Sequence, residues 1–513
     1  MATRFTLFIA ALCVAALAVP APAPADTADS QIVHLLNRIA FGPSAADLAH
    51  VRAIGIERYI DEQLHPERIT DPPALDARLA ALDTLRLDPA QLFAQYGPIF
   101  ADMNGGVKPT PEEIKARRQR ANVIVQQAQA ARVWRALYSR RQLQEVMVDF
   151  WFNHFNVFAN KGLDHLWVGS YEAAAIRPYA LGRFRDLLLA TARHPAMLFY
   201  LDNQLNTAPG SPGARGNQTG LNENYAREVM ELHTLGVDGG YTQADVEALA
   251  RILTGWGLDR GNLRYGAGDG AEFQAARHDF SDKAFLGRTI AASGETEGLA
   301  ALDMLASSPA TAHHIAAELA QYFVADNPPP ALVDRLAQRF AETGGDIAAV
   351  LKTLLSSREF RASIGQKYKT PYQYVLSAVR AAGIDVANPR PLLGAMARLG
   401  MPLYYCQTPD GYKNTEEAWL SPDATTLRAD FAVALGTGGV ARAAAMAPEA
   451  GPVQALVASA TPPVEMRPVP LDPAPLEALL APMLGEHTRA VAAAAPPRLQ
   501  AALLLGSPDF MRR

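Results

Sequence analysis

The chain has 513 residues, 49% of them apolar and 19% charged, with 47 Lys and Arg against 52 Asp and Glu for a formal net charge of −5. That apolar share is ample for a large buried core, and the acidic balance excludes the basic surface by which proteins grip DNA or RNA. The 2 cysteines and 11 histidines show no zinc-finger spacing either.

Met1 to Arg4 carries one positive charge, and Phe5 to Val19 is almost wholly apolar. Pro20 to Ala25 follows, with small residues at Ala23 and Ala25. Charged, apolar and small-residue stretches in that order describe a secretory signal, residues 1–25, with a mature chain starting near Asp26. The apolar run is shorter than the roughly 20 residues that span a bilayer, which weighs against a retained anchor. Bulky Leu12 argues against lipid modification of Cys13. Without the signal, Cys406 is the only cysteine, so no intramolecular disulfide can form and burial must hold the core. The expectation is an exported soluble protein, periplasmic or extracellular, with no transmembrane segment after signal removal and no nucleic-acid partner.

Beyond the signal, helix signals dominate. Ser44 with Asp47 suits an N-cap. Ser139 with Gln142 fits a capping box opening a helix to about Phe155. Asn222 opens another helix, closed by Gly236, and Thr242 with Asp245 opens one closed by Gly255. Leu187–Leu201, Ala312–Val324 and Ile347–Leu355 are apolar at helical spacing. Tyr265–Ile290 is the least helical region and is assigned a short hairpin. Asn206–Gly220 and Asn327–Pro330 read as loops. The fold expected is all-α or nearly all-α, a large irregular multi-helix domain with at most small hairpins. It spans residues 26–446, followed by a Pro- and Ala-rich linker or loop at 447–475 and a C-terminal helical segment, 476–513, packing back on the domain. Leu354–Phe360 and Leu504–Phe510 echo one another, too little to establish a repeat.

Two polar clusters stand out. On a helix, Asn224, Arg227, Glu228 and Glu231 form one stripe, with Tyr225, Val229 and Leu232 opposite. The two carboxylates could split their pKa values as an acid/base pair, or Arg227 could simply pair Glu223 and Glu231 on a solvated face. His233, beside Val229 and Met230, reads as a buried core histidine. The second cluster places Asp149, Asn153 and Asn156 on one line, with His154 among Met147, Phe150 and Trp151. The aromatics read as core, whereas amides on a helix need partners from another element or a ligand. Asn153 or His154 is expected beside the Asn224 stripe at a polar pocket. Asp238–Asp245 lacks the early carboxylates of a calcium loop. His314 and Glu318 share a helix face without a third ligand. No G-x-S-x-G elbow, H-E-x-x-H or P-loop occurs, and no metal or cofactor site is assigned.

At these clusters the sequence resembles the bacterial domain of unknown function 1800 family (DUF1800). The resemblance is carried by His34–Arg38 with Phe41-Gly42-Pro43, Trp151–Phe155, Asn222–Gly240 with Tyr241–Gln243, and Ala250–Trp256. His278-Asp279 with Lys283 and Leu286-Gly287, Thr343–Asp346 and Ser507–Phe510 complete it. It covers nearly the whole mature chain and implies an exported helical protein, often encoded beside a second exported family of unknown function numbered 1501, a candidate partner. No reaction comes with it. The leading expectation is an envelope hydrolase or lyase acting on an extracytoplasmic polymer. Glu228, Glu231 and His154 are its candidate catalytic residues, and Asn153, Asn224 and Arg227 would bind substrate. The alternative is a non-catalytic secretion or assembly factor.

Overall fold

The computed structural model describes residues 28–98, 108–216, 219–445 and 469–513. Residues 1–25, read from sequence as a secretory signal, and most of the 447–475 stretch lie outside the described residues; the last part of that stretch already starts the helix Pro473–Leu480. Among the described residues 63% are helical and 4% are strand, so the chain is nearly all-α. No described helix is long and apolar enough to cross a membrane.

The caps show which sequence signals acted. Ser44 accepts the Asp47 amide, and Thr242 and Asp245 form a reciprocal capping box. Ser139 does not cap the helix that follows. It closes the preceding helix, Pro111–Tyr138, and its hydroxyl donates to Asp71 at 2.8 Å. The next helix starts at Gln142 and ends at His154. Asn222 accepts the Asn224 amide across a turn, so that helix runs Asn224–Glu231. The apolar stretch Leu187–Leu201 forms two helices, Phe184–Arg193 and Pro195–Tyr200. Between them His194 is extended, because the residue before proline is pushed out of the helical region. Ile347–Leu355 is one helix, as its periodicity predicts.

The region read as a short hairpin holds two tiny antiparallel sheets. Trp256–Leu258 pairs with Ala271–Phe273, and Lys283–Phe285 pairs with Arg288–Ile290. The second pair turns on Leu286 and Gly287, both at positive φ, which is the demand of a two-residue hairpin turn.

One contiguous apolar cluster runs from Ile32 to Met511. Through it passes the helix Gln142–His154, 11 of whose 13 residues are buried. Trp151 is fully buried and donates to Ala180 O at 3.0 Å. A helix so enclosed cannot leave its charges unpaired. Each finds a partner on another element: Glu145 with Arg177, Asp149 with Arg132, His154 with Glu318.

Candidate functional site

The last two turns of this helix form one wall of an open cleft of ≈210 Å³. Asp149, Phe150, Asn153 and His154 come from it. His314, Glu318, Gln321 and Tyr322 come from the helix Pro309–Phe323, and Asp410, Tyr412, Lys413 and Asn414 from a loop.

Several anchors set these elements. Arg38, from the first helix, donates to the carbonyls of Phe323, Val324 and Ser363, at 2.9, 3.3 and 2.6 Å. It thereby satisfies the C-terminal end of the helix that carries His314 and Glu318. The loop is held by amides. Asn153 donates to Tyr412 O at 2.9 Å and accepts the Tyr412 amide at 2.7 Å. Asn156 donates to the carbonyls of Cys406 and Thr408. Gly411 sits at φ +66°, where an added Cβ would lie 2.3 Å from Asn153 O, so no other residue fits that crossing. At the loop's far end, Lys367 bonds Asn414 O and Asp326.

Beneath the cleft lies a buried ion network. Arg132 bonds Asp149 at 2.6 Å and Glu172 at 3.2 Å, under the rings of Phe152, Tyr372 and Tyr404. Arg177 bridges Glu145 and Glu172 at 2.6 and 2.9 Å. Tyr404, held at φ +70°, donates to Glu172 at 2.8 Å.

At the cleft itself, Glu318 Oε2 lies 2.6 Å from His154 Nδ1, and the other ring nitrogen lies 3.2 Å from His233 O. Both nitrogens face acceptors, a geometry that two N–H donors satisfy. His314 Nε2 donates to Leu232 O at 3.2 Å and stands 3.7 Å from Glu318 Oε1. The His154 side chain is 3% exposed, whereas Glu318 is 35% exposed. Burial works against ionisation of Glu318, but the charge and hydrogen bond of His154, with His314 and Lys413 beyond, bring its carboxyl below the usual range. Burial, then His154 and His314, holds the His233 ring far toward its neutral form. Glu318 meets solvent here, as does Asp410, which is paired with Lys413.

The Asn224 stripe behaves differently. Arg227 bonds Glu223 at 3.2 Å and Gln243 at 2.8 Å, and lies 3.9 Å from Glu231. Asn224 is exposed, and Arg227, Glu228 and Glu231 are half-buried. Burial, then Glu231 and Asp410, raises the Glu228 carboxyl. Among the described residues no hydrogen bond or ion pair joins the stripe to Asn153 or His154. The expected meeting occurs through the backbone instead: the carbonyls of Leu232 and His233, just past that helix, reach His314 and His154. Side-chain spacing could not show this, because the contact belongs to the chain reversal after Glu231. Asn153, expected to bind substrate, spends its amide on the loop. The sequence reading set aside His314 and Glu318 for want of a third ligand and missed Asp410, Lys413 and Asn414. The signal for the loop was the amide line itself, which required a partner.

A near-all-α molecule with a carboxylate–histidine pair at the mouth of one open cleft is the class that fold and site define. The chain belongs to the family "Protein of unknown function (DUF1800)", whose model matches residues 34–512. No curated protein and no solved structure matches the chain.

Proposed function

We infer that the protein is an exported hydrolase or lyase of the envelope acting on an extracytoplasmic polymer, with Glu318 as its proton-transferring carboxylate. The reading is carried by one observation: a solvent-facing Glu318 held on a buried histidine whose two nitrogens are both engaged. An ionised carboxylate in an open cleft serves as a general base toward a water or a substrate C–H or O–H. His154 acts as its positioning residue: the imidazole fixes one carboxylate oxygen and leaves the other toward the cleft. Lys413, on the rim, supplies positive charge for oxygen that becomes anionic as a bond breaks.

The test compares the purified protein with Glu318→Gln on peptidoglycan, neutral polysaccharides and protein substrates. Loss of a placed carboxylate should lower turnover about 10²–10⁴-fold; equal turnover by the two proteins overturns the assignment. Turnover of none of these polymers, with a co-exported partner retained on purification, would favour the assembly-factor alternative. Export has its own check. N-terminal sequencing of native protein should begin near Asp26, and an intact Met1 or Ala2 refutes it.

A further inference from the structure

Resting on that reading, we propose that the cleft binds a neutral, polyhydroxylated ligand, a segment of uncharged polysaccharide. Its aromatic and paired polar side chains exclude highly charged polymers.

The argument begins with charge. Each carboxylate lining the cleft already has a bonded partner: Glu318 has the His154 imidazole at 2.6 Å, Asp410 has Lys413 at 2.6 Å, and Asp149 has Arg132 at 2.6 Å. A polyanion would meet three carboxylates. A polycation would have to displace partners of which the His154 ring and Arg132 are buried. Neither gains an unpaired counter-charge, so desolvating it would be uncompensated.

Hydrogen-bonding capacity, by contrast, is left over. Asn414 lines the cleft, and its side-chain oxygen is buried beside it without a partner. A buried acceptor left unmade costs free energy that a ligand donor recovers. Glu318 is partly open, and the Lys413 ammonium, 67% exposed, has donors beyond the one given to Asp410. Hydroxyl groups, which donate and accept, match both kinds of atom.

Among further amides and hydroxyls, the apolar part of the lining is largely aromatic: Phe150 and Tyr322 from the helices, Met401 and Tyr412 from the loop. Phe150 and Tyr322 lock edge-to-face at 5.3 Å, so these surfaces are preorganised. Ring faces with flanking amides and carboxylates suit a sugar ring, whose C–H face is apolar and whose edge is polar.

The experiment uses the full mature protein carrying Glu318→Gln, so that binding is read without turnover. Titration calorimetry is run with cellotetraose and chitotetraose as neutral probes, a tetragalacturonate as the anion and tetralysine as the cation. One of the neutral probes should bind, and adding Asn414→Ala should weaken it about tenfold. Lys413→Met, at an exposed position that spares the fold, should weaken it too. Preference for either charged probe overturns the proposal, as does no binding of a neutral probe, or neutral binding that neither variant alters. A neutral probe bound at this cleft yet never cleaved by the unmutated protein upholds the ligand class while overturning the enzymatic reading. Cleavage of a peptide or a charged polymer does the reverse.

Discussion

Arg132 and Arg227 carry the same charge in opposite surroundings. The Arg132 side chain is 5% exposed and balances Asp149 and Glu172. Arg132→Met should therefore strand buried Asp149, leave Glu172 with Arg177 alone, and cost about 3–5 kcal/mol. Arg227, 38% exposed, sits in water-screened pairs, and Arg227→Ala should cost about 0.2–1 kcal/mol. Denaturant midpoints of the two variants check the contrast, and equal losses would contradict the network described. The carboxylates that need a buried cation are Asp149 and Glu172, beside Arg132, and not those beside Arg227. Gly411 is a second case of one position set by its neighbour. Gly411→Ala forces a Cβ against the Asn153 carbonyl and should cost about 1–3 kcal/mol in backbone strain, with lost protection of the 401–414 amides in hydrogen exchange.

At the scale of the element, the helix Gln142–His154 joins the core to the site. Its aromatic face is packed by Phe155, Phe184 and Tyr322, and its amides hold the loop on the other side. Trp151→Ala should destabilise by about 3–5 kcal/mol, through lost burial and the cavity left behind; a loss under about 1 kcal/mol would show that the site collapses without penalty. Most polar residues that carry the family resemblance act in the same structural way. His34 bonds Phe360 O at 2.8 Å, and His278 and Lys283 share the fully buried Glu297. Ser357 and Ser507, at matching places in the two echoed segments, each cap a short helix and turn a buried Phe inward. Family signature and catalytic candidacy are thus different things in this fold, and they coincide only near His154.

Across the whole molecule, burial of histidines gives stability a dependence on pH. Burial brings His34 down to about 3, with Arg38 adding to the effect, and burial alone brings His194 down to about 3. Both pKa values are depressed on folding, so the unfolded chain binds the extra protons. This stability is complete above the unfolded value near 6.5 and is lost as pH falls from 6.5 toward 3. Each histidine should cost about 2 kcal/mol at pH 5. His194 also accepts the Ala196 amide at its helix start, a role Asn can fill. His194→Asn should therefore show a flatter fall in Tm between pH 6.5 and 5; an unchanged slope would place the acid sensitivity elsewhere. Glu318, lowered on folding, adds its share only below the ordinary glutamate range near 4.5.

Helix content, the Thr242 capping box, the short hairpin and the burial of the aromatic run were legible in the sequence, because capping, periodicity and turn chemistry act over a few residues. The amide line Asn153/Asn156 announced that a partner existed without naming it. Ser139 looked like the start of a helix, but its hydroxyl donates to Asp71 and accepts the Arg141 amide, one residue short of the helix that starts at Gln142. The cleft was decided by the tertiary structure alone. It brings His154 to Glu318 across 164 positions and Asn153 to Tyr412 across 259. No local pattern encodes such pairings, because they follow from which charged and amide groups the closed core obliges to find one another.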